Sequence, residues 1–101
     1  MSTVSITPVA SNDPTDLYAT NVIRGIVLDW TDYEDTTSTL VYRANTNNRA
    51  NAVVITDTIA NSYVDTAVVY NDTYYYWIKF KNVYGRESNF YPANALAGVS
   101  V

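Results

Sequence analysis

Hydrophobic and polar residues alternate with a period of two along most of this chain. Successive side chains of a strand point to opposite faces, so this pattern predicts strands with one buried face. Polar clusters rich in Asn, Asp, Ser and Gly separate the alternating runs and predict turns. The predicted strands begin near Thr15 and cover Thr15–Ala19, Val22–Trp30, Thr39–Ala44, Ala52–Thr56, Ser62–Thr66, Thr73–Asn82 and Ser88–Tyr91.

Seven short strands at this spacing predict an all-β, antiparallel sandwich of two sheets. The buried faces follow from the alternation, since every second residue of a run points inward. In the longest run, Tyr74, Tyr76, Ile78 and Phe80 share one side. The predicted core consists of Ile26, Leu28, Trp30, Leu40, Tyr42, Tyr74, Tyr76, Ile78 and Phe80.

Composition supports the same fold class and excludes several functions. The chain holds 13 Val, 6 Ile, 13 Thr and 10 Tyr but only 4 Leu, which favours strands over helices. It has no Cys and no His, which excludes disulfide frameworks, zinc fingers, thiol nucleophiles and Ser-His-Asp triads. The net charge of −4 argues against nucleic acid as a partner. No apolar run suits a membrane span, and the first residues do not resemble a secretory signal.

Four motifs resemble the fibronectin type III domain, a seven-stranded immunoglobulin-like sandwich. They are Gly25–Trp30, like that family's second strand, Leu40–Arg43, like its third strand, Asp72–Phe80, like its sixth strand, and the pair Gly85 and Ser88 before the last strand. The resemblance covers about Thr15–Pro92. It implies that Tyr74 is a tyrosine-corner residue, whose hydroxyl bonds a backbone group upstream.

The resemblance also divides the chain into three parts. Residues 1–14 are expected to form an N-terminal arm or linker, residues 15–92 the domain, and residues 93–101 a C-terminal strand extension or linker. Both ends contain short β-prone strings, Val4–Ile6 and Val99–Val101. We expect these ends to be poorly ordered in an isolated domain and at least one of them to be ordered by a neighbouring chain in an assembly.

Two groups of residues are candidate sites. The acidic residues Asp29, Asp32, Glu34 and Asp35 offer oxygen ligands for Ca²⁺, but they lack the spacing of an EF-hand loop, so a solvated loop is the favoured interpretation. The second candidate is a solvent-facing patch on the third and sixth strands. Aromatic rings flanked by basic side chains are typical of protein interfaces, although lysine stems that merely cover the rings are an alternative. The predicted patch consists of Val41, Arg43, Tyr75, Trp77, Lys79 and Lys81.

Asp65 is expected to order the loop that follows it by accepting hydrogen bonds from nearby backbone N–H groups. A sandwich of this size offers no cleft for a pair of catalytic carboxylates, so no enzymatic activity and no cofactor are expected.

The strings Ser62–Thr66, Tyr74–Ile78 and Gly98–Val101 are similar to fibronectin type III modules of bacteriophage tail-tip and tail-fibre proteins. This resemblance implies a non-enzymatic virion protein, assembled in the bacterial cytoplasm, that contacts copies of itself or other tail or capsid proteins. A host surface glycan is a further expected partner. The alternative is an accessory module of a secreted polysaccharide-degrading enzyme, acting as a spacer or binding carbohydrate through Trp77 and Tyr75.

Overall fold

A computed structural model describes residues 10–101 and contains six β-strands. β-branched and aromatic residues dominate the strands, as expected for side chains that pack on a pleated surface. The strands are β1 (Tyr18–Val22), β2 (Gly25–Asp29), β3 (Ser38–Ala44), β4 (Val53–Thr58), β5 (Ser62–Asp65) and β6 (Tyr75–Lys81), with one short 3-10 turn at Arg49–Asn51.

The strands form two antiparallel sheets of three strands each. One sheet has the order β1-β2-β5 and the other has the order β4-β3-β6. Apolar side chains from β2 and β6 meet in one buried cluster between the sheets. The predicted all-β sandwich is therefore confirmed, with six strands in place of seven.

The predicted seventh strand is not formed as a continuous strand, and the chain after β6 pairs with β6 at three isolated bridges, the first of which joins Glu87 to Lys81. Tyr91 pairs with Ile78, and Val99 pairs with Tyr76, each through two backbone hydrogen bonds. Between these bridges the chain leaves the sheet after Tyr91, at Pro92, which has no N–H to donate to a ladder. Pairing with β6 resumes at Val99, within the β-prone string Val99–Val101 of the expected C-terminal strand extension or linker.

The core prediction is confirmed for β2 and β6. These strands present every second residue to the space between the sheets, and Leu17 joins them from the segment before β1. Leu28, Tyr76, Ile78 and Phe80 are almost completely excluded from solvent. The buried cluster consists of Leu17, Ile26, Leu28, Trp30, Val41, Tyr74, Tyr76, Ile78 and Phe80.

For β3 the predicted orientation is wrong by one residue. Val41 lies opposite Ile78 in the sheet and is completely buried in the core. Leu40 and Tyr42 are only half-buried, because they lie on the other face of the sheet. Both faces of β3 carry apolar side chains, so the alternation could not show which face turns inward. The pairing with β6 decides this, since residues directly opposite share a face.

A glycine is required where β2 begins beside β5. Gly25 has φ of +155°, a backbone conformation that other residues rarely adopt. A Cβ atom at this position would lie 2.1 Å from the carbonyl oxygen of Asp65. The close approach of these two backbones sets the end of the pairing between β2 and β5.

The tyrosine corner is present, as the resemblance implied. The backbone N–H of Val69 donates to the Tyr74 hydroxyl over 2.8 Å, while the Tyr74 ring is buried in the core. This bond fixes the loop between β5 and β6 to the start of β6, since Val69 lies in that loop.

Packing of the domain begins before the predicted boundary at residue 15. Ser11 and Pro14 are buried, and the Asp13 carboxylate accepts hydrogen bonds from the backbone and side-chain N–H groups of Asn89. Residues 11–14 therefore pack against the domain. The predicted β-prone string Val4–Ile6 lies outside the described residues.

Trp30 tests the position of the core. Its side chain is buried, so Trp30→Ala should lower the free energy of unfolding by about 3–5 kcal/mol, through lost apolar burial and the cavity that remains. Chemical denaturation monitored by circular dichroism measures this change. The matched control is Tyr70→Ala, which removes an exposed ring and should change stability by less than about 0.5 kcal/mol. Equal stability of the two variants would contradict the assigned core.

Candidate interaction surfaces

The six residues of the predicted patch do not form one exposed surface. Val41 and Arg43 face the space between the sheets, whereas β6 sends its patch residues to the outer face. This separation follows from the orientation of β3, in which Arg43 lies opposite Tyr76 and Tyr42 lies opposite Trp77. The patch prediction is therefore wrong in its geometry.

The outer face of β6 is covered by the C-terminal segment. Trp77 has no exposed surface, and its indole N–H donates to the carbonyl oxygen of Asn94 over 3.3 Å. Gly98 packs so closely on the ring that an added Cβ atom would lie 2.7 Å from two of its carbon atoms. Tyr75, beside Gly98, is half-buried. The segment 93–101 is therefore a packed part of the domain, contrary to the expectation of a poorly ordered end.

The charged residues of the outer face form ion pairs within the chain. Lys79 forms an ion pair with Glu87, and Lys81 forms one with Asp57. The Lys79 ammonium also lies 4.3 Å from the centre of the Phe90 ring. Cation–π contacts of this kind fit the alternative in which basic side chains cover the aromatic rings.

A buried polar network joins the two sheets. The Asp65 carboxylate, 2% exposed, accepts hydrogen bonds from Arg43 Nη1 at 3.0 and 2.9 Å and from the Tyr76 hydroxyl at 2.7 Å. The backbone N–H of Ala67 donates to the same carboxylate, as predicted for Asp65. Arg43 also donates to the carbonyl oxygen of Ala67 and lies over the Tyr74 ring. Several donors thus compensate for the cost of burying this carboxylate.

The network controls the ionisation of Tyr76. Burial of the phenol raises its pKa well above the ordinary value for tyrosine, and the hydrogen bond to Asp65 raises it further. An ionised Tyr76 would be a second buried anion beside Asp65 and could no longer donate to it.

The acidic residues of the predicted calcium candidate do not converge. Asp32 accepts a hydrogen bond from the indole N–H of Trp30, and Asp35 accepts one from the side-chain amide of Asn12. Asp29 and Glu34 point into solvent. Across residues 10–101, no group of three or more acidic side chains could hold a metal ion. The same part of the chain contains no helix long and apolar enough to cross a membrane.

An exposed apolar surface lies instead at one end of the sandwich, which we call the hairpin end. Ile23, in the turn between β1 and β2, is fully exposed, and Tyr70, in the loop between β5 and β6, is 91% exposed. Val22 and Val69 beside them are also exposed. The hairpin end comprises Val22, Ile23, Arg24, Val69, Tyr70 and Asp72.

A cleft of about 590 Å³ lies between the two parts of the hairpin end. Its walls combine apolar side chains with the charges of Arg24 and Asp72. A shallow apolar surface beside the β1–β2 turn is lined by Val22, Ile23, Arg24 and Val64. The turn therefore projects as an exposed apolar ridge beside the cleft.

Sequence reasoning missed the hairpin end, although one signal was present. Val22 and Ile23 directly precede Arg24-Gly25, where a turn between strands normally carries polar residues. The alternation predicts one strand over Val22–Trp30, which places Ile23 in a sheet, whereas it lies in the turn between β1 and β2.

No protein-family model matches the chain, and a search of curated proteins finds no match. Solved structures with a similar fold exist. A Fn3-like protein from Clostridium thermocellum has a TM-score of 0.71 and 25% sequence identity, covering 81% of this chain and 86% of that one. The chain thus has a fibronectin type III-like fold.

Pectate lyases contain a similar unit. Pel3 from Pectobacterium carotovorum has a TM-score of 0.63 and 20% identity, covering 73% of this chain and 24% of that one. PelI from Erwinia chrysanthemi, in complex with tetragalacturonic acid, has a TM-score of 0.63 and 23% identity over 73% of this chain and 26% of that one. This chain spans about a quarter of the lyases it matches, and the likeness to them shows the fold alone.

The raised pKa of Tyr76 predicts how stability changes at alkaline pH. The hydroxyl loses its proton more readily in the unfolded chain, so stability is fully present below about pH 10 and is lost as the pH rises towards the folded pKa. Tyr76→Phe should therefore show a shallower loss of stability above about pH 10, besides losing roughly 1–3 kcal/mol at neutral pH. Urea denaturation between pH 7 and 11 measures both effects. Tyr70→Phe, at an exposed position, should lose stability with pH as the wild type does. If the stability of Tyr76→Phe also falls with pH in parallel with the wild type, this account is wrong.

Gly98 tests the cover over Trp77. Gly98→Leu places a side chain where the indole ring lies, so it should cost about 1–3 kcal/mol and displace the C-terminal segment. Acrylamide should then quench tryptophan fluorescence more efficiently, and the emission should shift to longer wavelength. Ala97→Leu, at the exposed neighbouring residue, is the control and should change neither property. Unchanged quenching in Gly98→Leu would show that the segment does not cover the ring.

Proposed function

We propose that this chain is a non-enzymatic module of a bacteriophage particle, assembled in the host cytoplasm, that works through protein–protein contacts. The observation that carries the contact role is the hairpin end, where Ile23 and Tyr70 expose apolar surface on a well-packed scaffold. Apolar surface exposed in this way is typical of contact sites. The assignment to a virion rests on the similarity of the segments 62–66 and 74–78 to modules of phage tail-tip and tail-fibre proteins.

Two observations support a role without catalysis. The sequence contains no His and no Cys, so it lacks the commonest general base and any thiol nucleophile. Asp65, the most deeply buried carboxylate of the described residues, is occupied by Arg43 and Tyr76 and joins the sheets. Neither a nucleic acid nor a membrane is part of this proposal.

The covered position of Trp77 weakens the proposed glycan partner. Sugar-binding modules stack their ligands on exposed aromatic rings, and Trp77 has no exposed surface. Tyr75 is half-buried beside it. A host glycan would therefore need another surface of the domain, which makes a protein partner the better supported choice.

A second candidate function is that of a spacer module in a secreted polysaccharide-degrading enzyme. The observation in its favour is that the fold recurs within pectate lyases, in which it accounts for about a quarter of the chain. A spacer needs a stable fold and no stacking platform. This candidate shares the non-enzymatic role and differs in the protein to which the module belongs.

Mass spectrometry of fractionated cultures separates the two candidates. Virus particles and secreted proteins of the source culture are separated on a density gradient, and peptides of this chain are quantified in each fraction. We expect these peptides at constant ratio to capsid peptides across the particle peak. Peptides found only among secreted proteins, within a polypeptide that also yields peptides of a catalytic domain, would overturn the virion proposal in favour of the spacer.

A further inference from the structure

We propose that two copies of this chain associate through their hairpin ends, related by a two-fold axis. The inference rests on the proposed role in protein contacts and names the partner, a second copy. A two-fold interface brings the same surface of both copies together, so that surface must contain both members of every contacting pair. The hairpin end meets this requirement in shape and in charge.

The shape of the hairpin end is self-complementary. The β1–β2 turn presents Ile23 as a fully exposed apolar ridge. Beside it lies the cleft of about 590 Å³, whose walls include Val68, Val69 and Tyr70. A two-fold axis close to the turn places the Ile23 of each copy at the cleft of the other. Both side chains then leave water, which is the main gain from such a contact.

The charges of the hairpin end are complementary in the same way. Arg24 and Asp72 both line the cleft, and both are exposed. Within the described residues neither forms an ion pair, so both charges are available to a partner. Two-fold symmetry lets Arg24 of one copy meet Asp72 of the other twice, once on each side of the axis. Opposite charges placed at the rim of an interface orient the partners.

The opposite end of the sandwich is a poorer partner for this surface. It also exposes apolar residues, Ile59, Val83 and Tyr84, but it carries the exposed carboxylates Asp29, Asp32 and Glu34 at and after the end of β2. A head-to-tail contact would bury these groups against an apolar ridge that offers one cation, Arg24, and would remove their water without matching hydrogen bonds. The hairpin end therefore fits a second hairpin end better than it fits the other end of the domain.

A contact confined to one end of a small sandwich is a small interface. We expect weak association of the isolated chain, with a dissociation constant on the order of 0.1 mM. In a particle that holds many copies, tethering raises the effective concentration and makes such a contact persistent.

Sedimentation velocity of the purified chain between about 10 µM and 1 mM tests the association. We expect a reversible monomer–dimer equilibrium with no larger species, since a two-fold contact closes on itself. Ile23→Asp should weaken dimerisation by at least about tenfold, because it places a carboxylate in the apolar contact. The matched control is Ile59→Asp, at an 88% exposed isoleucine after β4 at the opposite end, which should dimerise like the wild type. The melting temperature checks that both variants are folded.

A charge exchange tests the two-fold geometry. Arg24→Asp and Asp72→Arg should each weaken dimerisation, since each places like charges opposite each other twice. An equimolar mixture of these two variants should form a heterodimer, because both of its contacts then join opposite charges. The double variant, with both substitutions in one chain, should recover dimerisation for the same reason.

Several outcomes would overturn the inference. In sedimentation, these are a monomer at every concentration, an open series of oligomers, or an association that Ile59→Asp abolishes and Ile23→Asp leaves intact. In the charge exchange, it is the failure of the Arg24→Asp and Asp72→Arg variants to form a heterodimer when mixed. Failure here is distinguishable from failure of the virion proposal. A chain that is monomeric yet present in particles overturns only the two-fold contact, and a dimer absent from particles overturns only the virion role.

Discussion

The Asp65 carboxylate, buried between the sheets, is the constraint on which the rest of this structure depends. It ends β5, accepts hydrogen bonds from Arg43 on β3 and Tyr76 on β6, and thereby joins the two sheets. A carboxylate in this position is costly unless its partners are in place, so the three strands must be arranged together. Its backbone carbonyl also lies against Gly25, which limits how β2 begins. Asp65 therefore couples three features: the ionisation of the Tyr76 hydroxyl, the arrangement of β3, β5 and β6, and the start of β2.

The network requires Arg43 to lie on the inner face of β3. This requirement determines which residues of β3 lie on the outer face of the same sheet. With Arg43 turned inward, Tyr42 turns outward beside Trp77. This leaves a second aromatic surface that needs cover, and the chain supplies it from its own C-terminal segment. Pro92 and Gly98 allow that cover, since the first removes a ladder donor and the second permits backbone to lie directly on the indole ring. A surface that resembles an interface in the sequence thus becomes an internal one.

Several exposed apolar residues are left at the hairpin end, which neither packing layer covers. The β1–β2 turn and the β5–β6 loop meet there, and the bond from Val69 to the Tyr74 hydroxyl fixes that loop. A contact surface at the end of a rigid sandwich keeps its shape in the absence of a partner, which lowers the ordering cost of binding. The proposed self-association draws on this rigidity and on the charges of Arg24 and Asp72, which form no ion pair within residues 10–101.

The alternation of residues by itself predicted most of the strands, the buried faces of β2 and β6 and the sandwich fold, because the period of two is a local property of each strand. The resemblance of the segment Asp72–Phe80 to a fibronectin type III strand likewise predicted the corner, whose bond spans few residues. Which face of β3 turns inward was decided only by the tertiary structure, since both of its faces are apolar and only the pairing with β6 distinguishes them. The cover over Trp77 and the exposure of Ile23 also depend on contacts between residues far apart in sequence. The pattern of a strand predicts which side chains share one face of a sheet. Only the tertiary structure determines what packs against that face.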